Sequence, residues 1–374
     1  MSINQVIIYI MLIFMAIGAI DKAFLKDRLG FGPQFEEGIN AMGPLAMSMV
    51  GIMCLAPVLG NLLAPIVGPV YRFLRADPAM FAGTLLAIDM GGLPLALEMT
   101  SDLQIANFSG VILGSMMGAT IVFSIPVSLG IVEEKDKPFL AKGILAGMIA
   151  IPIGCFVGGL ISGMDIMLVV ANLIPVIIIA ILLAIGLALI PNGMMKGFDV
   201  FSKFITIVIT LAFAAAIIGE LSGGVIAVPG MAPIGPQLES VGIIAITLAG
   251  AYPLVHFITK VLSKPLAAVG KLIGVNEVTI GGMIAALANN IPMFGMLKDM
   301  DNRGKVIAVA FSVPAAFALG DHLGFTSGNA PDYIFPMIAA KIIGGIFAVV
   351  IAFFFVPKAK KEDVKAETKN TAKV

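Results

Sequence analysis

Polar residues are rationed along this chain. Apolar runs of about 15 to 25 residues recur from one end to the other, each long enough for a membrane-crossing helix. The pattern predicts spans over residues 6–20, 39–63, 105–132, 143–161, 166–190, 204–218, 241–258, 306–319 and 333–356. Two further apolar segments, 80–97 and 278–297, are interrupted in mid-run. The first holds Asp89-Met90-Gly91-Gly92-Leu93-Pro94, the second Ala288-Asn289-Asn290-Ile291-Pro292. Inside hydrocarbon, unwound backbone is tolerated only where protein buries it or where it lines a cavity. A matched pair of such breaks in two halves of a chain is a pointer to a transporter's binding site.

Charge placement bears on whether the broken segments cross or turn back. If both are re-entrant, nine helices cross. All basic residues except Arg72, Arg75 and Lys341 then fall on one side. By the positive-inside rule that side is cytoplasmic, with the N-terminus outside and the C-terminus inside. Counting both segments as full crossings splits the lysines between the faces, so the re-entrant reading is preferred.

The chain also repeats itself. Gly32-Pro33-Gln34-Phe35-Glu36 returns as Gly235-Pro236-Gln237-Leu238-Glu239, Gly83 and Pro94 return as Gly281 and Pro292, and Phe123-Ser124-Ile125-Pro126 returns as Phe311-Ser312-Val313-Pro314. The matches are collinear. Five spans precede the second copy, so it starts from the opposite face. The expected fold is therefore an all-α polytopic membrane protein with two inverted-topology repeats, a broken helix in each, and eleven hydrophobic segments. Repeat 1 takes residues 1–163, a joining helix 164–197, and repeat 2 residues 198–357. Residues 358–374 read as a disordered cytoplasmic tail. The two re-entrant tips are expected to face one another near the midplane.

Composition removes other classes. Hydrophobic residues make up 59% of the 374 and charged residues 12%, half the share of an average soluble domain. The formal net charge of zero argues against a nucleic-acid partner. Cys54 and Cys155 lie inside apolar runs, so neither a disulfide nor a metal framework is expected. There are two histidines and no HExxH, no phosphate loop and no Gly-x-Ser-x-Gly elbow, so no enzyme, cofactor or metal is expected.

The residues that carry chemistry are few. Asp89 reads either as the counter-charge for a cationic solute or ion, or as a structural ion pair or surface loop residue. Asn289 and Asn290 offer amide donors and acceptors to a ligand, or cap the half-helices of the break. The neighbours Asp321 and His322 read as a proton or amine site, or as a solvated loop near the outer mouth. Lys341 snorkels outward, or pairs with Asp89 or Asp321 as a fixed internal cation. Gly91 and Gly92 complete the candidate binding set of Asp89, Gly91, Gly92, Asn289, Asn290, Asp321, His322 and Lys341. His256 reads as a packed or interfacial residue. Glu36 and Glu239 read as helix-start chemistry, and Gly114, Gly118, Gly154, Gly158, Gly159, Gly344 and Gly345 as close helix packing.

Residues 32–38, 80–87, 113–118, 121–130, 285–295 and 316–325 closely resemble the EutH-type ethanolamine utilisation permeases. The resemblance covers essentially the whole membrane part. It implies a multi-pass carrier or facilitator in a bacterial cytoplasmic membrane, moving ethanolamine for an ammonia-lyase pathway. The partners implied are that small molecule and the lipid bilayer; a homo-oligomer is left open. Ethanolamine joins an ammonium to a hydroxyl, which suits Asp89 and an asparagine amide in turn. The rival readings are an ion-coupled symporter of another small polar solute, and a membrane sensor or assembly protein of the same pathway.

Overall fold

The structure is a computed structural model that describes residues 2–356, except for the side chains of residues 262–264, 266–267, 269 and 271. The expected tail over 358–374 and the side-chain placement of Lys264 and Lys271 lie outside the described residues. Among the described residues the chain is helical throughout, without strands. The helices are α1 (Ile3–Ile20), α2 (Gly32–Asn40), α3 (Met42–Phe73), α4 (Met80–Leu85), α5 (Leu93–Met99), α6 (Leu103–Asn107), α7 (Ile125–Ile131) and α8 (Lys137–Ile161). They continue as α9 (Ile166–Leu189), α10 (Pro191–Leu221), α11 (Ile234–Ile273), α12 (Glu277–Ala288), α13 (Asn290–Met296), α14 (Asn302–Ala315), α15 (Asp321–Asn329) and α16 (Ile334–Phe355).

Rare polar residues start these apolar helices by satisfying their free amides. Ser2 and Gln5 form a capping box at α1. Asp165 accepts from the Met167 amide at 2.9 Å, and Asp301 from the Gly304 amide at 2.7 Å. Among the described residues, eight helical stretches are long and apolar enough to cross a membrane. Their outward faces are greasy: Ile181, Leu182 and Ile185 of α9 and Phe204, Ile207 and Leu211 of α10 are all at least half exposed. Such faces are stable in lipid and not in water.

The expected span over 306–319 is corrected. Helix α14 stops at Ala315, because Ala316 turns extended and Phe317 takes a left-handed φ of 63°. The chain resumes as α15 at Asp321, so Asp321 and His322 open a helix and are no mouth loop.

Both interrupted segments double back on themselves. The ends of the first are joined where the Thr100 hydroxyl donates to Asp77 at 2.9 Å. The ends of the second are joined where the Asn276 amide N–H donates to Asp301 at 2.7 Å and its side chain donates to the Asp299 carbonyl at 2.9 Å. A segment whose ends bond to each other returns to the end of the bundle it left.

Side-chain bonds also sort the loops between two ends of the bundle. At one end Asn4 bonds the Asp332 carbonyl and the Phe335 amide, and Ser240 donates to Asn329 at 2.7 Å. At the other end the Asp21 carboxylate accepts the amides of Leu29, Phe31 and Gly32, Lys305 pairs with Asp136 at 2.6 Å, and Arg303 donates to the Ile273 carbonyl at 3.1 Å.

Between α6 and α7 the chain is wound as a π-helix over Phe108–Gly118 and again over Thr120–Ser124. This widened stretch is the best-buried part of the molecule, with every residue from Phe108 to Gly118 buried. It packs flat against the first doubled-back segment. A Cβ on Gly118 would collide with the Leu86 carbonyl, and one on Gly83 with the Ser109 carbonyl. Backbone approaches this close need glycine. The π-wound stretch, α8, α14 and α16 form the packed centre.

Candidate functional site

The first doubled-back segment turns at its tip because Leu86, Ala87, Met90 and Gly91 leave helical geometry. Helix α4 ends at Leu86 in extended backbone, and Gly91 carries a φ of 104°. Any side chain at Gly91 would be strained by that φ, and its Cβ would press on Ile52. Amides of Met90 and Gly92 both donate to the Ala87 carbonyl, at 3.0 and 2.8 Å, which fixes the tip. Asp89 is thereby held out of the helix ends.

The break between α14 and α15 meets this tip. The Phe317 and Leu319 amides donate to the Ala286 and Leu287 carbonyls, both at 2.9 Å, so the unwound chain is tied to the end of α12. The cost of a left-handed phenylalanine, about 1 kcal/mol, is offset by these bonds. Between tip and break lies a cavity of about 30 Å³ lined by Ala87, Asp89, Met90, Ala119, Phe123, Phe317, Asp321 and His322. Asp89 and Asp321 share it, and each retains some exposure there.

The walls are specific. Tyr252 of α11 donates its hydroxyl to Asp321 at 2.6 Å. The His322 ring is buried against Phe317, with ring centroids 4.9 Å apart, and its Nδ1 has no hydrogen-bond partner. Phe317 in turn meets Phe123 edge-on at 5.6 Å. Two carboxylates, an uncommitted imidazole nitrogen and two aromatic rings are groups chemically suited to a small cation that also bears a hydrogen-bonding group. Among the described residues no cluster of three or more His, Cys, Asp or Glu is placed to hold a metal ion.

The other candidates sit elsewhere. Gly91 and Gly92 shape the tip behind Asp89. Asn289 caps α13, accepting the Ile291 amide at 2.9 Å. Asn290 is fully buried and donates to Ser124 at 2.7 Å, while its Oδ1 has no partner. The asparagines are not among the cavity's walls, so the two tips do not face each other across one space as expected. The acid tip meets the unforeseen break at 316–320 instead. Lys341 does not snorkel: it is 0% exposed and donates to the Ser115 carbonyl. His256 packs against the edge of Phe31 with centroids 5.4 Å apart, as its position implied.

Sequence reasoning passed over Tyr252, Phe123 and Phe317. Tyr252 carried a signal, as one of four tyrosines, set inside an apolar span. Phe317 and Phe123 carried none, because a phenylalanine in an apolar run reads as packing.

A profile of the family described as "Ethanolamine utilisation protein, EutH" matches residues 3–355. The chain belongs to this family. It is 55% identical to the probable ethanolamine permease EutH of Listeria monocytogenes, over 98% of each chain. It is 50% identical to the probable ethanolamine permease EutH of Salmonella typhimurium, and 49% identical to that of Escherichia coli, over 98% of this chain and 99% of theirs. No solved structure matches it. Family and fold agree on a multi-pass bacterial membrane protein and on a permease, not an enzyme.

Proposed function

We propose that this protein carries ethanolamine across the bacterial cytoplasmic membrane, and that the solute binds between the Asp89 tip and the Phe317–His322 break. The observation that carries this reading is the pairing of Asp89 with Asp321 and His322 in one aromatic-walled cavity, in a chain whose relatives are named ethanolamine permeases. Asp89 takes the ammonium, with the rings of Phe123 and Phe317 supplying cation–π faces. The free Nδ1 of His322 takes the hydroxyl. Tyr252 holds Asp321 in place from behind.

A solute site reached from one side at a time, between broken helices, is the arrangement of alternating access. The element order supports inverted repeats joined by α9. Helix α1 corresponds to α10, α2 with α3 to α11, the two doubled-back segments to each other, 103–131 to 302–329, and α8 to α16. The packing of α1 on α11 returns as that of α10 on α3. With the lysine-rich end of the bundle cytoplasmic, the N-terminus lies outside and the C-terminus inside.

The test is uptake of labelled ethanolamine into liposomes holding only this protein, with and without imposed proton and sodium gradients. Equilibrating uptake without a gradient makes it a facilitator. Accumulation only with a gradient makes it a secondary carrier. No uptake under any condition, with a folded protein, rejects the reading in favour of a sensor or assembly role.

A further inference from the structure

A groove of about 1080 Å³ lies at the lysine-rich end of the bundle, between α7, α8, the joint of α9 with α10, and the last residue of α16. It is roomy enough for a sizeable organic ligand. It shares no wall with the Asp89 cavity, and the proposed transport does not use it. Its walls are of two kinds. Leu129, Leu145, Leu187 and Phe355 are apolar, whereas Glu134, Lys137, Lys142, Lys196 and Asp199 carry charge. Both acids are already engaged: Glu134 pairs with Lys137, and Asp199 with Lys203 at 2.6 Å. That leaves Lys142 and Lys196, neither of which forms an ion pair among the described residues.

Each of these two lysines stands one and a half turns, about 7.5 Å, inside a helix that starts at this end, α8 at Lys137 and α10 at Pro191. With 25 and 31 residues, both helices are longer than the roughly 30 Å of hydrocarbon they cross, which leaves their first turns for the headgroup layer. Beyond the lysines the groove continues as lipid-facing surface. Ile149 shares a face of α8 with Lys142 and Leu145, and Ile177 and Ile181 share a face of α9 with Ala188. All three isoleucines are exposed. Ammonium groups at headgroup depth, set over an apolar trough, match a ligand with an anionic head and hydrocarbon chains. We propose that this groove binds an anionic phospholipid, with Lys142 and Lys196 on the headgroup phosphate and the acyl chains along α8 and α9. Residues 357–374, which follow α16, carry six lysines against three acids, the same sign as the groove's uncommitted charges. Like charge disfavours that segment as the occupant. The proposal does not depend on which solute the permease carries.

The experiment titrates phosphatidylglycerol or phosphatidylcholine into the purified full-length protein in neutral detergent, read by native mass spectrometry and by thermal denaturation. Phosphatidylglycerol should bind at least about tenfold more tightly, as one retained molecule, and should raise the melting temperature. Lys142→Gln with Lys196→Gln should weaken it by about twentyfold and leave phosphatidylcholine unchanged. Each single variant should lose about fivefold, so the test stands even if the pair does not fold. Lys26→Gln with Lys298→Gln removes two exposed lysines outside the groove and should change binding by less than about threefold. Equal affinity for the two lipids overturns the proposal. So does an equal loss in the two double variants, which would mean attraction to a diffuse surface charge. Full competition by inorganic phosphate would assign the lysines to a free anion, and displacement by a peptide of residues 357–374 would assign the groove to that segment. Either result also overturns it.

Discussion

The two doubled-back segments share a backbone design and differ in the chemistry of their tips. In each, an aspartate at the base ties the segment's ends together: Asp77 through Thr100, Asp301 through Asn276. In each, the helix stops within a few residues of the tip and restarts at once. The first tip then presents a carboxylate to a cavity, whereas the second uses one asparagine as a helix cap and buries the other against Ser124. The carboxylate of one tip faces a cavity, whereas the other tip buries Asn290 and leaves Ile291 exposed. Similar backbone designs do not imply similar chemistry.

The largest effect expected from this difference is at Asp89. Replacing it by Asn keeps the shape but removes the counter-charge. Uptake of ethanolamine should fall by about a hundredfold or more, the loss expected when one partner of a desolvated charge pair is removed. The melting temperature should not fall, because the tip is fixed by backbone bonds to Ala87. Uptake within threefold of wild type would break the contrast.

The second tip should respond in the opposite sense. Asn290→Leu strips the Ser124 hydroxyl of its donor in a buried place, at a cost of about 1–3 kcal/mol read as a lower melting temperature. The apparent KM for ethanolamine should stay within about threefold of wild type, since Asn290 is not at the cavity. A large KM effect with unchanged stability would mean that the second tip binds solute after all.

Gly91→Ala sharpens the account of the first tip. A φ of 104° costs an alanine about 1–2 kcal/mol, and its Cβ would displace Ile52. Both stability and uptake should drop, because strain here moves Asp89. The smallest effect belongs to the exposed pair Glu134–Lys137 between α7 and α8. Glu134→Ala should change thermal stability by less than about 0.5 kcal/mol and leave uptake intact.

Much of the scaffold was legible in the sequence, for physical reasons. Apolar runs cannot hide, and an Asp-Met-Gly-Gly in the middle of one cannot be a surface loop without cost. The break at 316–320 was missed because Ala315-Ala316-Phe317-Ala318-Leu319 is apolar and helix-compatible. It unwinds through tertiary bonds to Ala286 and Leu287, which no local pattern announces. Asp321 and His322 therefore read as mouth residues, whereas they line a cavity together with Asp89. The burial of Lys341 was likewise decided by the π-wound stretch, whose Ser115 carbonyl receives it. Composition indicates a helix there but not its winding.

The central claim is that Asp89, and not the second tip, holds the solute's ammonium. Calorimetric titration of ethanolamine into purified wild type, Asp89→Asn and Asn290→Leu tests it most directly. The account predicts binding to the wild type and to Asn290→Leu with similar affinity, and none detectable to a folded Asp89→Asn. Undiminished binding by Asp89→Asn, or its loss in Asn290→Leu alone, would contradict it.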